Sequence, residues 1–547
     1  MRGFFKGAGI LAVCALSAKM IGALYRIPLT NIVGAEGMGL YQMVFPLYTV
    51  LLTISSGGLP VAISKVVASK IARRDEGGAR RVLFVSLVSL TAAGLAASLA
   101  VIIFRGQIAS VQGNPAAGIP YLGIAPSLVL VAVISCFRGY YQGLQNMLPS
   151  ALSQLIEQAV KLAAGLFFAR IFLRFSLEWA VFGALLGVSA SELVAMLALL
   201  CQFYFTDRRF RRRSRIDAVS PVFEAAAEAD FRAYRPVGAR STLREIYGVA
   251  IPVTLGSLVM PVTGVIDSIL VINLLAAGGF SRGAATSLFG LVTGPVNSLI
   301  NMPVVVTLSL AAALLPKVSE AEHAKTNPAP DIARCLKASL IVGVFSALFL
   351  GLYADSILSA LYSKGLSAAE LRTGAALLST GSVSVFYVGV LQIATSALQA
   401  AGQPHRPALN LLCGAVLKVV LTLLLLPYIG VAGAMAATVL CYGLTCFLDV
   451  LSMKKFYSPR LKFKEFIAAP LAASAGFCAA ALLTKGTFAG VLGPAPAFIA
   501  SSFCAAAAFA LLLALAGGVK RAELAAVPVV GRLFRGKKKI DRNKVSK

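Results

Sequence analysis

The feature that most constrains this chain is the recurrence of long apolar runs. A helix that crosses a bilayer needs about 20 consecutive, mostly apolar residues. Runs of that length, bounded by charged or turn residues, occur fourteen times. In the first half they lie near 4–27, 40–64, 82–104, 119–142, 152–173 and 178–203, and in the second near 246–274, 284–315, 338–355, 375–399, 408–427 and 430–451. A final pair lies near 466–484 and 491–517. Prolines inside them (Pro252, Pro261, Pro295, Pro303) are tolerated better in membrane helices than in soluble ones. With 58% apolar and 13% charged residues, against about a quarter charged in soluble domains, a soluble enzyme, a disordered chain and a disulfide scaffold are excluded. The first residues, with Arg2 and Lys6 before a short apolar stretch, look like a signal peptide. Lys19 interrupts that pattern, and the segment reads as span 1.

Charge sorting sets the expected orientation. The chain carries 50 Lys and Arg against 22 Asp and Glu, a net charge of +28. If the amino terminus is inside, 38 of those 50 basic residues fall on inside loops and tails and seven outside. That bias is the positive-inside signal, and it requires an even number of spans with both termini cytoplasmic. The inside clusters are 65–81, 208–244, 454–464 and 520–547. The run Arg208, Arg209, Arg211, Arg212, Arg213 and Arg215 reads as a juxtamembrane cluster held by anionic membrane lipids rather than a nucleic-acid patch, as does Lys537–Lys539. No nucleic-acid partner is expected.

The halves align weakly. Shifts of 257, 250 and 243 residues place Lys161 on Lys418, Gly183 on Gly433 and Pro60 on Pro303. The matches fall in order, on the same span number of each half. Because each half holds an even number of spans, the repeats run parallel about an axis along the membrane normal. The expected fold is therefore an all-α integral membrane protein of 14 transmembrane helices. Two parallel six-helix repeats surround a central cavity, and two extra C-terminal helices follow. The expected segments are an N-terminal bundle over 1–204, a cytoplasmic basic linker over 205–245, a C-terminal bundle over 246–452, helices 13 and 14 over 453–518, and a basic tail over 519–547.

Polar groups inside a bilayer are costly and ordinarily line a cavity. Lys19 and Arg26 in span 1 share a face, and Arg138 and Gln142 recur one turn apart in span 4. Gln154, Glu157, Gln158 and Lys161 form a stripe in span 5. Glu157 and Lys161 can pair along their helix, and Arg138 can reach lipid phosphates by snorkelling. Lys161 and Lys418 each fall about 14 Å into their spans, close to the midplane. Arg26 and Asp267, near the outer ends of equivalent spans, are candidates for a gating pair. Deep basic positions outnumber deep acids, chiefly Glu157 and Glu192, and such a cavity suits an anion such as a diphosphate. Spans 13 and 14 show no deep charge and offer a groove for a lipid tail. Scattered cysteines and two loop histidines provide no metal-ligand spacing, and no phosphate-cradling glycine loop appears. Neither metal nor cofactor nor catalysis is expected.

Residues 137–161, FRGYYQGLQNMLPSALSQLIEQAVK, together with 24–48, 57–69 and 288–321, closely resemble the stage V sporulation protein B and polysaccharide-exporter group. That group belongs to the multidrug/oligosaccharidyl-lipid/polysaccharide flippase superfamily, alongside the lipid II flippases. The resemblance implies fourteen spans and alternating access. It implies a polyprenyl-diphosphate-linked glycan as substrate, with the peptidoglycan precursor lipid II first, in a bacterial-type plasma membrane. In lipid II flippases basic residues of span 1 line the cavity, and Lys19 and Arg26 occupy the comparable stretch. Tyr25-Arg26-Ile27 departs from the Arg-Asp pair usual there. Two rivals are a cation-coupled multidrug exporter of the same superfamily and a non-transporting scaffold that recruits cell-wall synthesis proteins.

Overall fold

The computed structural model describes residues 2–56, 58–73, 75–217, 239–459 and 461–518. Residues 218–238 of the expected basic linker and the tail from 519, with Lys537–Lys539, lie outside the described residues, and the arginines of 208–215 sit at the end of the helix Leu177–Asp217 with their side chains outside the described ones. Among the described residues the chain is helical almost throughout. Its principal helices are α1 (Arg2–Ser56), α2 (Leu59–Ala72), α3 (Glu76–Val111), α4 (Gly118–Gly143), α5 (Leu148–Phe172), α6 (Leu177–Asp217), α7 (Ala239–Ser257), α8 (Val259–Ala277) and α9 (Arg282–Leu291). They continue as α10 (Asn297–His323), α11 (Ala329–Leu352), α12 (Ala354–Tyr362), α13 (Ala368–Gly381), α14 (Val383–Ala400), α15 (His405–Ile429), α16 (Val431–Lys454), α17 (Ala469–Leu492) and α18 (Pro494–Leu515). This is a multi-pass membrane protein.

Twelve helical stretches among the described residues are long and apolar enough to cross a membrane, against the fourteen expected. Two physical causes account for the difference. Spans 1 and 2 are joined without a loop inside α1, where the chain turns at Gly34 with φ 68° and ψ −172°, a conformation open to glycine at little cost. α5 has 25 residues, long enough to span, but Glu157, Lys161 and Arg170 give it more charge than an ordinary span. Other spans are broken internally: α1 and α2 part at Gly58, α7 and α8 at Leu258, and α13 and α14 at Ser382. Between α9 and α10 the five residues Val292–Val296 form a wide π turn containing Pro295, which cannot donate the usual helical hydrogen bond.

The described chain forms two compact units. The first comprises Met1–Ser298, Tyr362–Glu370 and Leu411–Ala437. In it α5 packs along α6, α4 against α3 and α6, and α1 against α5, α8 and α9. Small residues permit these crossings, as expected where lipid supplies no hydrophobic drive for helix association. A Cβ on Gly187 of α6 would lie 2.3 Å from the Cα of Gly165 on α5, and one on Gly165 would lie 2.6 Å from the Tyr25 hydroxyl. The Gly165–Gly187 crossing thus fixes α5 against α6, and the Gly165–Tyr25 contact fixes it, with Lys161 one turn earlier, against α1.

The second unit comprises Leu299–Leu361, Leu371–Asn410 and Thr438–Lys547. Its core joins α10, α11, α14 and the end of α16 through Leu314, Val318, Ile332, Ile393 and Met453. α17 and α18 pack together, and α17 lies on α11. The first turn before α17 carries a buried charge that periodicity did not reveal: Lys337 Nζ of α11 lies 3.1 Å from Glu465 Oε2. Asp449, fully buried, accepts from Thr395 Oγ1 at 2.7 Å and from Asn410 Nδ2 at 2.7 Å. Outside the spans, Tyr457 donates to Glu322 Oε1 at 2.7 Å. Burial first, and this bond to a carboxylate second, push its phenol well above the usual tyrosine range. Large side chains such as Leu483 and Phe503 are about three-quarters exposed (71% and 75%), as befits surfaces that meet lipid.

Replacing Gly187 with Leu is expected to destabilise the first unit by about 1–3 kcal/mol through overpacking, read as a lower melting temperature in detergent. Gly106→Ala, where nothing lies within 4 Å of the new Cβ, is the control and should not lower it. Equal melting of the two variants would contradict the close crossing.

Candidate functional site

The polar residues of α4 and α5 converge because both helices present them to the same side of the first unit. Arg138 Nη2 lies 2.8 Å from Glu157 Oε2, and its Nε donates to Ser153 Oγ at 2.9 Å. Gln158 Nε2 donates to the other carboxylate oxygen of Glu157 at 3.2 Å. Glu157 is therefore neutralised by Arg138 from the neighbouring helix rather than along its own helix by Lys161, and Arg138 is held in the protein instead of snorkelling. Gln142 is half-buried at the end of α4, and among the described residues its side chain makes no hydrogen bond.

Lys161 is left with its charge uncompensated by any carboxylate at ion-pair distance among the described residues. Its Nζ lies 5.6 Å from the Tyr25 ring centroid and 5.4 Å from that of Phe45. Cation–π contacts stabilise an ammonium by about 0.5–2 kcal/mol, much less than a buried carboxylate would. Beyond it stands Glu192 of α6, 2% exposed. Tyr48 donates to its Oε1 at 2.6 Å, whereas Oε2 has no hydrogen-bond partner among the described residues. Glu192 feels the charges of both Glu157 and Lys161.

The remaining expected site residues fall elsewhere in the same unit. Lys418 of α15 forms a short ion pair with Asp267 of α8. Arg26 reaches Ser298 Oγ through Nη1 at 3.4 Å, so the structure brings Asp267 to Lys418 and not to Arg26. Lys19 lies on α1, but its side chain is outside the described ones. No group of three or more His, Cys, Asp or Glu that could hold a metal occurs among the described residues.

Close contacts hold α1 and the turn after α3 to α8 and α9 at the end that the charge bias assigns to the outside. Gln112 Nε2 donates to Met43 O at 2.9 Å and to Ser268 Oγ at 3.0 Å, and Asn114 Nδ2 donates to Thr286 Oγ1 at 2.9 Å. Gln42 Nε2 donates to Thr293 O at 2.6 Å. A Cβ on Gly39 or Gly290 would come within 2.1 Å of a carbonyl oxygen, that of Thr286 or Ala35. At the opposite end of α1, Gly58 N–H, at the break before α2, donates to Thr254 Oγ1 of α7 at 3.1 Å. Sequence reasoning missed these glycines and glutamines, as well as Tyr48. Glu192 was visible as a deep acid, but nothing in its own helix revealed Tyr48.

If the Arg138–Glu157 pair is a desolvated unit, either single neutral variant leaves a buried charge alone. Arg138→Gln and Glu157→Gln are each expected to lower stability by about 3–5 kcal/mol. The double variant should cost less than the two single losses added, when melting is followed through a double-mutant cycle. Strict additivity would show that the two side chains do not interact.

Comparison with known proteins agrees with this architecture. A family model described as "Polysaccharide biosynthesis protein" matches residues 4–322. Stage V sporulation protein B of Bacillus subtilis (strain 168) is 28% identical over 97% of this chain and 99% of its own length. Lipid II flippase MurJ of the same organism is 22% identical over 84% of this chain and 85% of its own length. Among solved structures, lipid II flippase MurJ in an inward closed conformation superposes with a TM-score of 0.70 at 11% identity, covering 92% of this chain and 98% of that one. An inward-facing multidrug resistance MATE family transporter superposes with a TM-score of 0.61 at 17% identity, covering 81% and 98%. The chain belongs to the polysaccharide biosynthesis protein family. The resemblance to the stage V sporulation protein B group of the flippase superfamily is borne out. These relatives and structural neighbours include a lipid II flippase and a MATE family transporter.

Proposed function

We propose that this member of the polysaccharide biosynthesis family is a flippase for an undecaprenyl-diphosphate-linked sugar, with lipid II as the first candidate. It moves the sugar from the inner to the outer leaflet of a bacterial plasma membrane by alternating access. The observation that carries the proposal is Lys161, a cation in a membrane helix cushioned by two rings and not paired with a carboxylate among the described residues. A site of this kind attracts the oxygens of a diphosphate. Its neighbours Arg138 and Glu157 already compensate one another, so an arriving anion meets the charge of Lys161 first.

In this mechanism the diphosphate head is held by Lys19, Arg26, Lys161 and Lys418, with Arg138, Gln142 and Glu157 bordering them. Lys418 must part from Asp267 to contribute, so that ion pair acts as a latch which the substrate's own charge releases. Arg26 guards the outer mouth with Asp267 once Asp267 is free. The halves 1–204 and 246–452 rock about the head while the prenyl tail stays in lipid or beside spans 13 and 14. Both termini and the basic linker face the cytoplasm, where anionic lipids hold them and cell-wall synthesis proteins can dock. An anion that moves outward travels downhill in an inside-negative potential, by about 2.3 kcal/mol per charge per 100 mV.

The test is lipid II exposure at the outer surface of cells depleted of their own flippase. This protein should restore exposure, and Lys161→Gln with Lys418→Gln should reduce it by about tenfold or more, as expected for the loss of at least 1.4 kcal/mol of anion binding. Export of a cationic dye that survives Lys161→Glu and Lys418→Glu, with no lipid II exposure by the parent protein, would instead mark a drug exporter. Full exposure in the double variant would refute the cationic site.

A further inference from the structure

The outer end of α5 carries a second basic feature that faces away from Lys161. Arg170 follows Lys161 by nine residues, about two and a half helical turns, and so points from the opposite side of the helix. It shares that side with Ala163, Phe167 and Ile171, and Arg174 follows in the turn after α5. With Asn31 and Ile32 of α1, Phe167, Arg170, Ile171, Leu173 and Arg174 line an open groove of about 630 Å³. Phe167 is 61% exposed, and among the described residues neither guanidinium is in an ion pair.

Two further observations indicate what the groove takes. The α5–α6 turn beside it is an aromatic cluster. The chain's single tryptophan, Trp179, stacks on Phe172 at 6.3 Å and meets Phe182 at 5.1 Å, and Phe175 lies 6.2 Å from Phe172. Aromatic rings of this kind gather at the level of lipid headgroups. The residue order along the groove also matches a lipid: apolar Phe167 lies toward the middle of the span, and Arg170 and Arg174, with Ile171 and Leu173 between them, lie at the level of the rings. A pair of arginines suits a phosphodiester, which they can engage through paired N–H donors. Their position on the side that the charge bias leaves poor in Lys and Arg makes the pair an exception to that bias.

We infer that this groove is a binding site for one anionic phospholipid, with its phosphate between Arg170 and Arg174 and an acyl chain descending along Phe167. The site is separate from the Lys161 cluster, and its occupancy does not depend on which glycan is moved.

The test uses the full-length protein in nanodiscs made from equal parts of phosphatidylcholine and phosphatidylglycerol. After transfer to mild detergent, retained lipid is counted by native mass spectrometry. The parent protein should hold phosphatidylglycerol in preference, and Arg170→Gln with Arg174→Gln should reduce that retention by about tenfold. Arg170→Lys with Arg174→Lys should fall between them, because charge is kept and the planar fork lost. Inorganic phosphate should not displace the lipid, since it cannot fill the apolar trough. Unchanged retention in the Gln variant, equal retention of the two lipids by the parent, or displacement by inorganic phosphate would each overturn the site. The replaced side chains are exposed, and an unchanged melting temperature of each variant confirms that a lost lipid is not lost folding.

Discussion

The expense of an uncompensated charge inside a bilayer governs how this protein is built. Each ion taken from water into a low-dielectric interior costs several kcal/mol unless a partner and hydrogen bonds offset it. Within the first unit Arg138 is matched by Glu157 and Lys418 by Asp267, and within the second Lys337 is matched by Glu465. Asp449 meets the same demand through an amide and a hydroxyl. Against this rule two groups of the first unit stand out. Among the described residues Lys161 meets aromatic faces and no carboxylate at ion-pair distance, and Glu192 has Oε1 bonded by Tyr48 while Oε2 has no hydrogen-bond partner. Incompletely satisfied polar groups of this kind are the ones available to a ligand.

Helix breaks and glycines serve the same end by setting where the charged helices meet. Gly34 turns α1 so that Tyr25, before the break, and Phe45, after it, both face Lys161. The Gly165–Gly187 contact holds α5 against α6, which leaves Glu192 within electrostatic range of the α5 stripe. The bond from Gln112 to Ser268 and that from Gly58 to Thr254 connect opposite ends of the first-half helices to α7 and α8. Both sets are few and polar, and such contacts can exchange in a transporter that changes shape.

What the sequence made legible, and what it hid, follows from the reach of each signal. Hydropathy counts residues along the chain, so the spans, their approximate limits and the membrane class were readable. It does not see that Gly34 joins two spans without a loop. Helical periodicity placed Glu157 and Lys161 on one stripe, but periodicity knows only its own helix. The partner that actually neutralises Glu157 comes from α4, and that of Lys418 lies 151 residues away on α8. Long composite motifs such as 137–161 carried the family because they combine many residues, whereas Lys337 fell just before span 9 as read from hydropathy, and nothing there told that the helix begins at Ala329 and buries it.

The central claim is that Lys161 supplies the charge that holds a lipid-linked diphosphate. The most direct measurement is binding of a short-chain polyprenyl diphosphate to the purified protein, compared with the corresponding prenyl alcohol and with a cationic dye. The account predicts binding of the diphosphate over the alcohol, weakened by added salt and reduced about tenfold or more by Lys161→Gln with melting unchanged. Equal binding of diphosphate and alcohol, or a preference for the cation that survives Lys161→Gln, would contradict it.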